Sequence, residues 1–179
     1  MFNNAFNDFA EKPELDLAPK RLQKKMDAVD PWIYENINNG VYRCGFVSTQ
    51  EAYNEAIVAY TTHMDKLDKH LATRKFLTGD EFTLSDIRLF QTLIRNDEVY
   101  TVYFKCDTRT VRTLPNVFRY CCDVWQIPGI KETTHMDHIK MHYYTSHPRM
   151  NYYGIIPKGP DFIGLMNTAI RGCKKTSKK

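Results

Sequence analysis

The stretch Phe76-Leu77-Thr78-Gly79-Asp80-Glu81-Phe82-Thr83-Leu84-Ser85-Asp86 decides how the rest of this chain is read. Thr83 stands three residues before Asp86, the spacing at which an N-cap hydroxyl and a first-turn acid exchange hydrogen bonds with each other's backbone amides. Phe82 and Ile87 occupy the staple positions on either side of the cap, and Leu89, Phe90, Leu93 and Ile94 make the following helix apolar around much of its circumference. A helix capped this way and apolar on most sides is predicted to lie at the centre of a bundle.

Upstream, Tyr53, Ile57, Tyr60, Met64, Leu67 and Leu71 recur at spacings of 4, 3, 4, 3 and 4, which predicts an amphipathic helix from about Thr49 to Leu71. So regular a stripe calls for a near-antiparallel partner at a shallow angle of ~20°. The stripe Leu22, Met26, Val29, Ile33, Ile37 is the candidate. Pro31 interrupts it, predicting a kink or a restart with Asp30 as N-cap, and Asn38-Asn39-Gly40 is predicted to end it. Tyr53 and Tyr60 read as packing residues with their hydroxyls in water.

Downstream, Pro115, Val117, Phe118, Cys121, Val124 and Trp125 predict a helix that stops by Pro128-Gly129, and another spans about Thr134 to Tyr144. Of the neighbours Cys121 and Cys122, one is expected in the core and one partly exposed. Beyond His147, Pro148, Gly154, Pro157, Gly159 and Pro160 predict an extended coil. The expectation is a single all-α domain over residues 1–179, with a helical core over about 20–146 and a coil and basic tail over 147–179.

Composition sets outer bounds. With 179 residues, 42% of them hydrophobic, the chain can bury one real core. No stretch free of Asp, Glu, Lys and Arg exceeds nine residues, far short of the roughly 20 apolar residues of a membrane helix. The first residues lack the basic flank and apolar run of a signal peptide. Five cysteines, with no C-x-x-C pair, suggest neither a disulfide framework nor a zinc ribbon, and point to a cytoplasmic home. Arg171, Lys174, Lys175, Lys178 and Lys179 carry the excess of the net +4 charge without interleaved aromatics, so the tail reads as a solvated end and not as a nucleic-acid site. His135, His138 and His142 could share a helix face, but lack a Cys or carboxylate to complete a metal site, so no metal is assigned.

Longer strings carry a resemblance. Phe76-Leu77-Thr78-Gly79-Asp80 running into Thr83-Leu84-Ser85-Asp86 resembles the C-terminal helical domain of glutathione transferases. Ile37-Asn38-Asn39-Gly40-Val41-Tyr42 with Gly45-Phe46, Asp86-Ile87-Arg88-Leu89, Arg95-Asn96-Asp97 with Val99-Tyr100, and Phe104-Lys105-Cys106-Asp107 narrow it to the Xi class, the glutathionyl-hydroquinone reductases. Gln126-Ile127-Pro128-Gly129-Ile130, His138-Ile139-Lys140 and His142-Tyr143-Tyr144-Thr145-Ser146-His147 continue the match in order, to about Pro160.

The resemblance implies a glutathione transferase C-terminal-like bundle in a transferase or oxidoreductase that reduces glutathionyl-hydroquinones with glutathione. It places the substrate-binding tyrosines on Tyr42, Tyr100 and Tyr143. A phenol of pKa ~10 stays protonated at neutral pH, so it can donate to a ring oxygen and stack on a planar ligand. The family's nucleophilic cysteine lies in a thioredoxin-like domain and precedes a proline, and no cysteine here does. That domain is therefore expected to be absent from this chain, with no catalytic residue on the chain itself and glutathione held mainly by the other domain. Expected partners are a hydroquinone-type small molecule, a second copy in a homodimer, and a separate thioredoxin-like domain. The alternative is a non-enzymatic binding or dimerisation module with the same fold. The sequence departs from the family at Cys44, where a small residue is usual, and at Asn151-Tyr152, where Asn-Pro is usual.

Overall fold

The computed structural model describes residue 3 and residues 5–176, with no strand among them. In chain order the helices are α1 (Gln23–Ile33), α2 (Gly40–Phe46), α3 (Gln50–Leu71), α4 (Leu84–Arg95), α5 (Thr101–Tyr103), α6 (Pro115–Trp125), α7 (Met136–Ser146) and α8 (Phe162–Thr176). No helix among the described residues is long and apolar enough to cross a membrane.

The capping box at α4 is formed. Thr83 donates to Asp86 Oδ2 from its amide at 2.8 Å and from its hydroxyl at 2.9 Å, while Asp86 Oδ1 accepts from the Leu77 amide at 2.9 Å and from the Tyr120 hydroxyl at 3.2 Å. Asp86 thus ties the start of the central helix to the 76–79 turn and to α6, and Leu89, Phe90, Leu93 and Ile94 are buried as their pattern requires. Thr49 caps α3, its hydroxyl accepting from the Ala52 amide at 3.2 Å, and α2 and the turn before it pack along α3.

The expected restart at Asp30 and stop at Asn38-Asn39-Gly40 do not occur. α1 runs through Pro31 and continues into a π-helical turn over Tyr34–Asn38, and α2 follows directly. Asp30 pairs with Arg88 on α4 at 2.8 Å and caps nothing, and Asn38 is held to α4 by bonds to the Arg88 carbonyl (3.1 Å) and the Thr92 hydroxyl (2.6 Å). These tertiary bonds outweigh the local preference of Asn-Asn-Gly for a helix end.

The coil after His147 extends only to residue 161, after which the chain forms α8. Phe162 and Met166 are fully buried, Ala169 and Ile170 pack beside them, and Asp161 accepts from the Gly164 amide at 3.0 Å as a local cap. Because α8 covers α6, Cys122 is buried along with Cys121 instead of partly exposed. Of the basic tail, Lys178 and Lys179 lie outside the described residues.

Candidate functional site

Each of the three tyrosines singled out in the sequence sits where an irregular turn or a buried polar group fixes its backbone. Tyr42 is on α2, which the turn at Tyr34–Asn38 swings into place against α3; the Asn39 amide reaches back five residues to the Tyr34 carbonyl at 2.9 Å. Tyr100 ends a second π-helical turn, Asn96–Tyr100, that continues α4. Such turns add a residue to the helical ladder, rotate the side chains that follow, and recur at functional sites.

Three buried polar residues hold the second turn. Asn96 accepts from the Tyr60 hydroxyl at 2.6 Å; Asp97 accepts from the Val111 and Arg112 amides at 2.7 and 3.2 Å; Glu98 accepts from the Phe162 amide at 2.7 Å and from Lys140 on α7 at 3.3 Å. Glu98 therefore joins the turn to α7, which carries Tyr143, and to the start of α8. Neither Tyr60 nor Tyr53 leaves its hydroxyl to water alone, since Tyr53 donates to the Lys105 carbonyl at 2.7 Å; a buried phenol needs such a partner.

The three hydroxyls meet. Tyr143 Oη lies 2.7 Å from Tyr42 Oη and 2.8 Å from Tyr100 Oη, although the residues are 101 and 43 positions apart in sequence. Tyr100 is 2% exposed, Tyr143 8% and Tyr42 39%. Tyr100 is enclosed with only the other two phenols in reach, whereas Tyr42, the most exposed of the three, can also bond outward. Tyr42 is the one phenol of the three that can exchange partners with water or a ligand. Should Tyr42 lose its proton, the donor from Tyr143 faces the resulting charge.

Burial, and then the bond to Tyr143, hold the Tyr100 hydroxyl far above the usual phenol range, and burial pushes Tyr143 up to about 12. Both stay protonated donors at any physiological pH. The rings rest on Phe104, which stacks with Tyr100 at 5.4 Å between centroids and 6° between planes and lies 5.3 Å from Tyr42. Phe104 in turn presses on Gly45, where an added Cβ would fall 2.1 Å from its ring. Phe46 stacks beside Tyr42 and meets the edge of His147, whose Nδ1 is 3.1 Å from the Tyr103 hydroxyl.

Two surface grooves converge on Asn39 and Tyr42. One, of about 750 Å³, runs past Asp30, Tyr34, Asn38, Arg88 and Gln91; the other, of about 740 Å³, runs past Arg43, Phe46, Glu55 and Ala59. Tyr100 and Tyr143 line neither and lie behind Tyr42. The site thus offers a planar ligand one outward phenol, an exposed aromatic neighbour and an apolar-walled space. It offers no thiol: Cys44, two residues from Tyr42, is buried. His135, His138 and His142 do not form a metal cluster; His135 precedes α7, and no group of three ligating side chains that could hold a metal occurs among the described residues.

Sequence reasoning missed Asn96, Asp97 and Glu98 as the frame of the site, because an Asn-Asp-Glu run reads as a wet helix surface. The usable signal was their position straight after a helix apolar on most sides.

Residues 50–121 match the family of the glutathione S-transferase C-terminal domain. The chain is 43% identical over 160 residues to the glutathionyl-hydroquinone reductase YqjG of Escherichia coli, covering 89% of this chain and 48% of that protein. It is 41% identical over 160 residues to the glutathionyl-hydroquinone reductase PcpF of Sphingobium chlorophenolicum, covering 89% and 51%. Its fold superposes on glutathione-bound YqjG with a TM-score of 0.84 (43% identity, 89% of this chain and 52% of that one). On the Xi glutathione S-transferase of Phanerochaete chrysosporium the TM-score is 0.85 (44% identity, 90% and 55%). The chain spans about half the length of the curated relatives it matches. Its fold is the all-α bundle of glutathione transferase C-terminal domains.

Proposed function

We propose that this chain is the quinol-binding C-terminal half of a Xi-class glutathione transferase, a system that reduces glutathionyl-hydroquinones with glutathione. The observation that carries this reading is the convergence of the Tyr42, Tyr143 and Tyr100 hydroxyls into one hydrogen-bonded cluster with Tyr42 as its exposed member. A hydroquinone oxygen accepts from Tyr42, with Phe46 and the groove walls flanking its ring. Tyr143 and Tyr100 act through Tyr42: they hold its hydroxyl in place, so they are positioning residues. When a ring carbon of the quinol takes up a proton, Tyr42 is the group placed to supply it, and the donor from Tyr143 steadies the phenolate left behind.

Thiol attack belongs elsewhere. The Cys44 thiol, two residues from Tyr42, is buried, and an attacking thiolate must be exposed and activated. Glutathione and the nucleophilic cysteine are therefore assigned to a thioredoxin-like domain that works with this chain, and two copies of the chain are expected to pair.

The test is release of glutathione from a glutathionyl-naphthohydroquinone, with this chain alone and with a relative's thioredoxin-like domain supplied in fusion. The expected result is no turnover above buffer for the chain alone, and turnover in the fusion that falls in Tyr42→Phe. Activity of the chain alone that vanishes in one of its own Cys→Ser variants, or a fusion indifferent to Tyr42→Phe, overturns the assignment.

A further inference from the structure

Three asparagines stand close together where α1 bends into α2, and two of them are committed to the fold. Asn36 donates to the Trp32 carbonyl at 3.0 Å, and Asn38 donates to the Arg88 carbonyl and the Thr92 hydroxyl. Asn39 differs. Its backbone is fixed, with the amide bonded to the Tyr34 carbonyl at 2.9 Å and the carbonyl accepting from the Arg43 amide at 3.0 Å. It holds the N-cap position of α2, where an asparagine side chain ordinarily accepts from an amide of the first turn, yet it makes no such bond. The cause is conformational: at φ −82° and ψ −23° the residue is already helical, whereas a capping side chain starts from extended backbone. Among the described residues no other group bonds its carboxamide either.

That carboxamide stands where the two grooves beside the tyrosine cluster meet. Asn39 and Tyr42 are the residues that line both grooves. Three positions apart on a helix, such residues share a face with their Cβ atoms about 5–6 Å apart. A helical tyrosine also leans toward the turn before it, here the turn that carries Asn39. A hydroquinone has its two oxygens at opposite ends of one ring, so it can meet a phenol with one and a neighbouring carboxamide with the other.

We propose that Asn39 is a specificity-determining residue for the hydroquinone: its Oδ1 accepts from the ring hydroxyl that Tyr42 does not hold. This rests on the role given to Tyr42 above. The two groups are complementary, because the phenol donates to one ring oxygen and the carboxamide accepts at the other. A hydroquinone satisfies both, and a ring methylated at the second oxygen does not. Asn39 is half-buried, so a bound ring strips water from it, and a ligand lacking that hydroxyl proton leaves the carboxamide oxygen unpaired. Sites built to hydrogen-bond a ligand hydroxyl reject analogues on this basis.

The experiment is calorimetric titration of the full chain, under exclusion of oxygen, with glutathionyl-naphthohydroquinone and each of its two monomethyl ethers. The ethers are isomers of equal size, so a difference between them reports which hydroxyl proton the site uses. The expected result for the unaltered chain is a Kd roughly two- to tenfold higher for one ether than for the other. Asn39→Ala raises the Kd of the parent compound and of the tighter ether by that factor and leaves the weaker ether unchanged, so the difference disappears. Asn39→Asp, which keeps an accepting oxygen, retains it. Asn39→Leu, close to asparagine in shape, repeats the measurement if alanine perturbs the turn. Equal affinities of the two ethers for the unaltered chain, a difference that survives Asn39→Ala, or an equal weakening of all three ligands in that variant overturns the proposal. Tyr42→Phe separates the two levels: an effect there with none in Asn39→Ala removes only the role of Asn39, whereas no effect of Tyr42→Phe on any ligand overturns the site itself and this proposal with it.

Discussion

Replacing Asp86 by Ala tests whether the capped start of α4 holds the bundle together. The carboxylate accepts four hydrogen bonds, and its donors, on Leu77, Thr83 and Tyr120, are all buried. Two of those donors can adapt: the Tyr120 hydroxyl also reaches the Asp86 carbonyl at 3.3 Å, and the Thr83 hydroxyl can rotate. The Leu77 and Thr83 amides cannot, and a buried amide without a partner costs about 1–3 kcal/mol. Burial raises the Asp86 pKa, so removing the charge also relieves a desolvation cost that offsets part of the loss. The net is a destabilisation of about 3 kcal/mol, or roughly 6–12 °C in Tm for a chain of this size. Urea unfolding of Asp86→Ala beside Glu55→Ala, an exposed carboxylate on α3, reads the difference as a lower midpoint at unchanged slope. If the two variants unfold within about 0.5 kcal/mol of each other, the surface-substitution range, Asp86 is not the hub described.

Three further outcomes follow from the site. Tyr143 and Tyr144 are pushed up to about 12 by burial and Cys122 to about 11, so the folded state keeps protons that the unfolded chain releases. Their stabilisation is complete below about pH 9 and is lost as pH rises through 12, so the urea midpoint should fall across that window, with a shallower fall in Tyr143→Phe. Gly45→Ala should disorder the ring stack under the tyrosines, because its methyl meets the fully buried Phe104; near-ultraviolet circular dichroism and a Tm drop of several degrees would report it, and an unchanged spectrum would speak against that packing. Light scattering at tens of micromolar should give a dimeric mass, and a monomer would remove the pairing from the proposed assembly.

The parts of the fold that follow a strict helical period were legible in the sequence. α3, α4 and α6 bury the positions their spacing marks, save Tyr53 and Phe118, which are half-buried against the core, and the Thr83–Asp86 box is local chemistry with a local outcome. The parts set by long-range bonds were not. Pro31 and Asn38-Asn39-Gly40 look like breakers until Arg88 and Thr92, some fifty positions away, supply partners that keep the chain helical. α8 was hidden behind a Pro- and Gly-rich coil although Phe162, Met166 and Ile170 keep the period of four. The tyrosines show both limits: their spacing carries no hint that they meet, and only the family strings singled them out from the 11 in the chain. That Tyr42 alone faces outward depended on the burial of Tyr100 and Tyr143, which no local pattern encodes.

The central claim is that the outward end of the tyrosine chain receives a hydroquinone. Nuclear magnetic resonance on the chain with ring-labelled tyrosines, titrated with a glutathionyl-naphthohydroquinone, tests it directly. The account predicts saturable shifts at Tyr42, smaller ones at Tyr143 and Tyr100, none at the exposed pair Tyr152 and Tyr153, and loss of the Tyr143 response in Tyr42→Phe. Shifts confined to Tyr152 and Tyr153, or a Tyr42 resonance unmoved at saturating ligand, would contradict it.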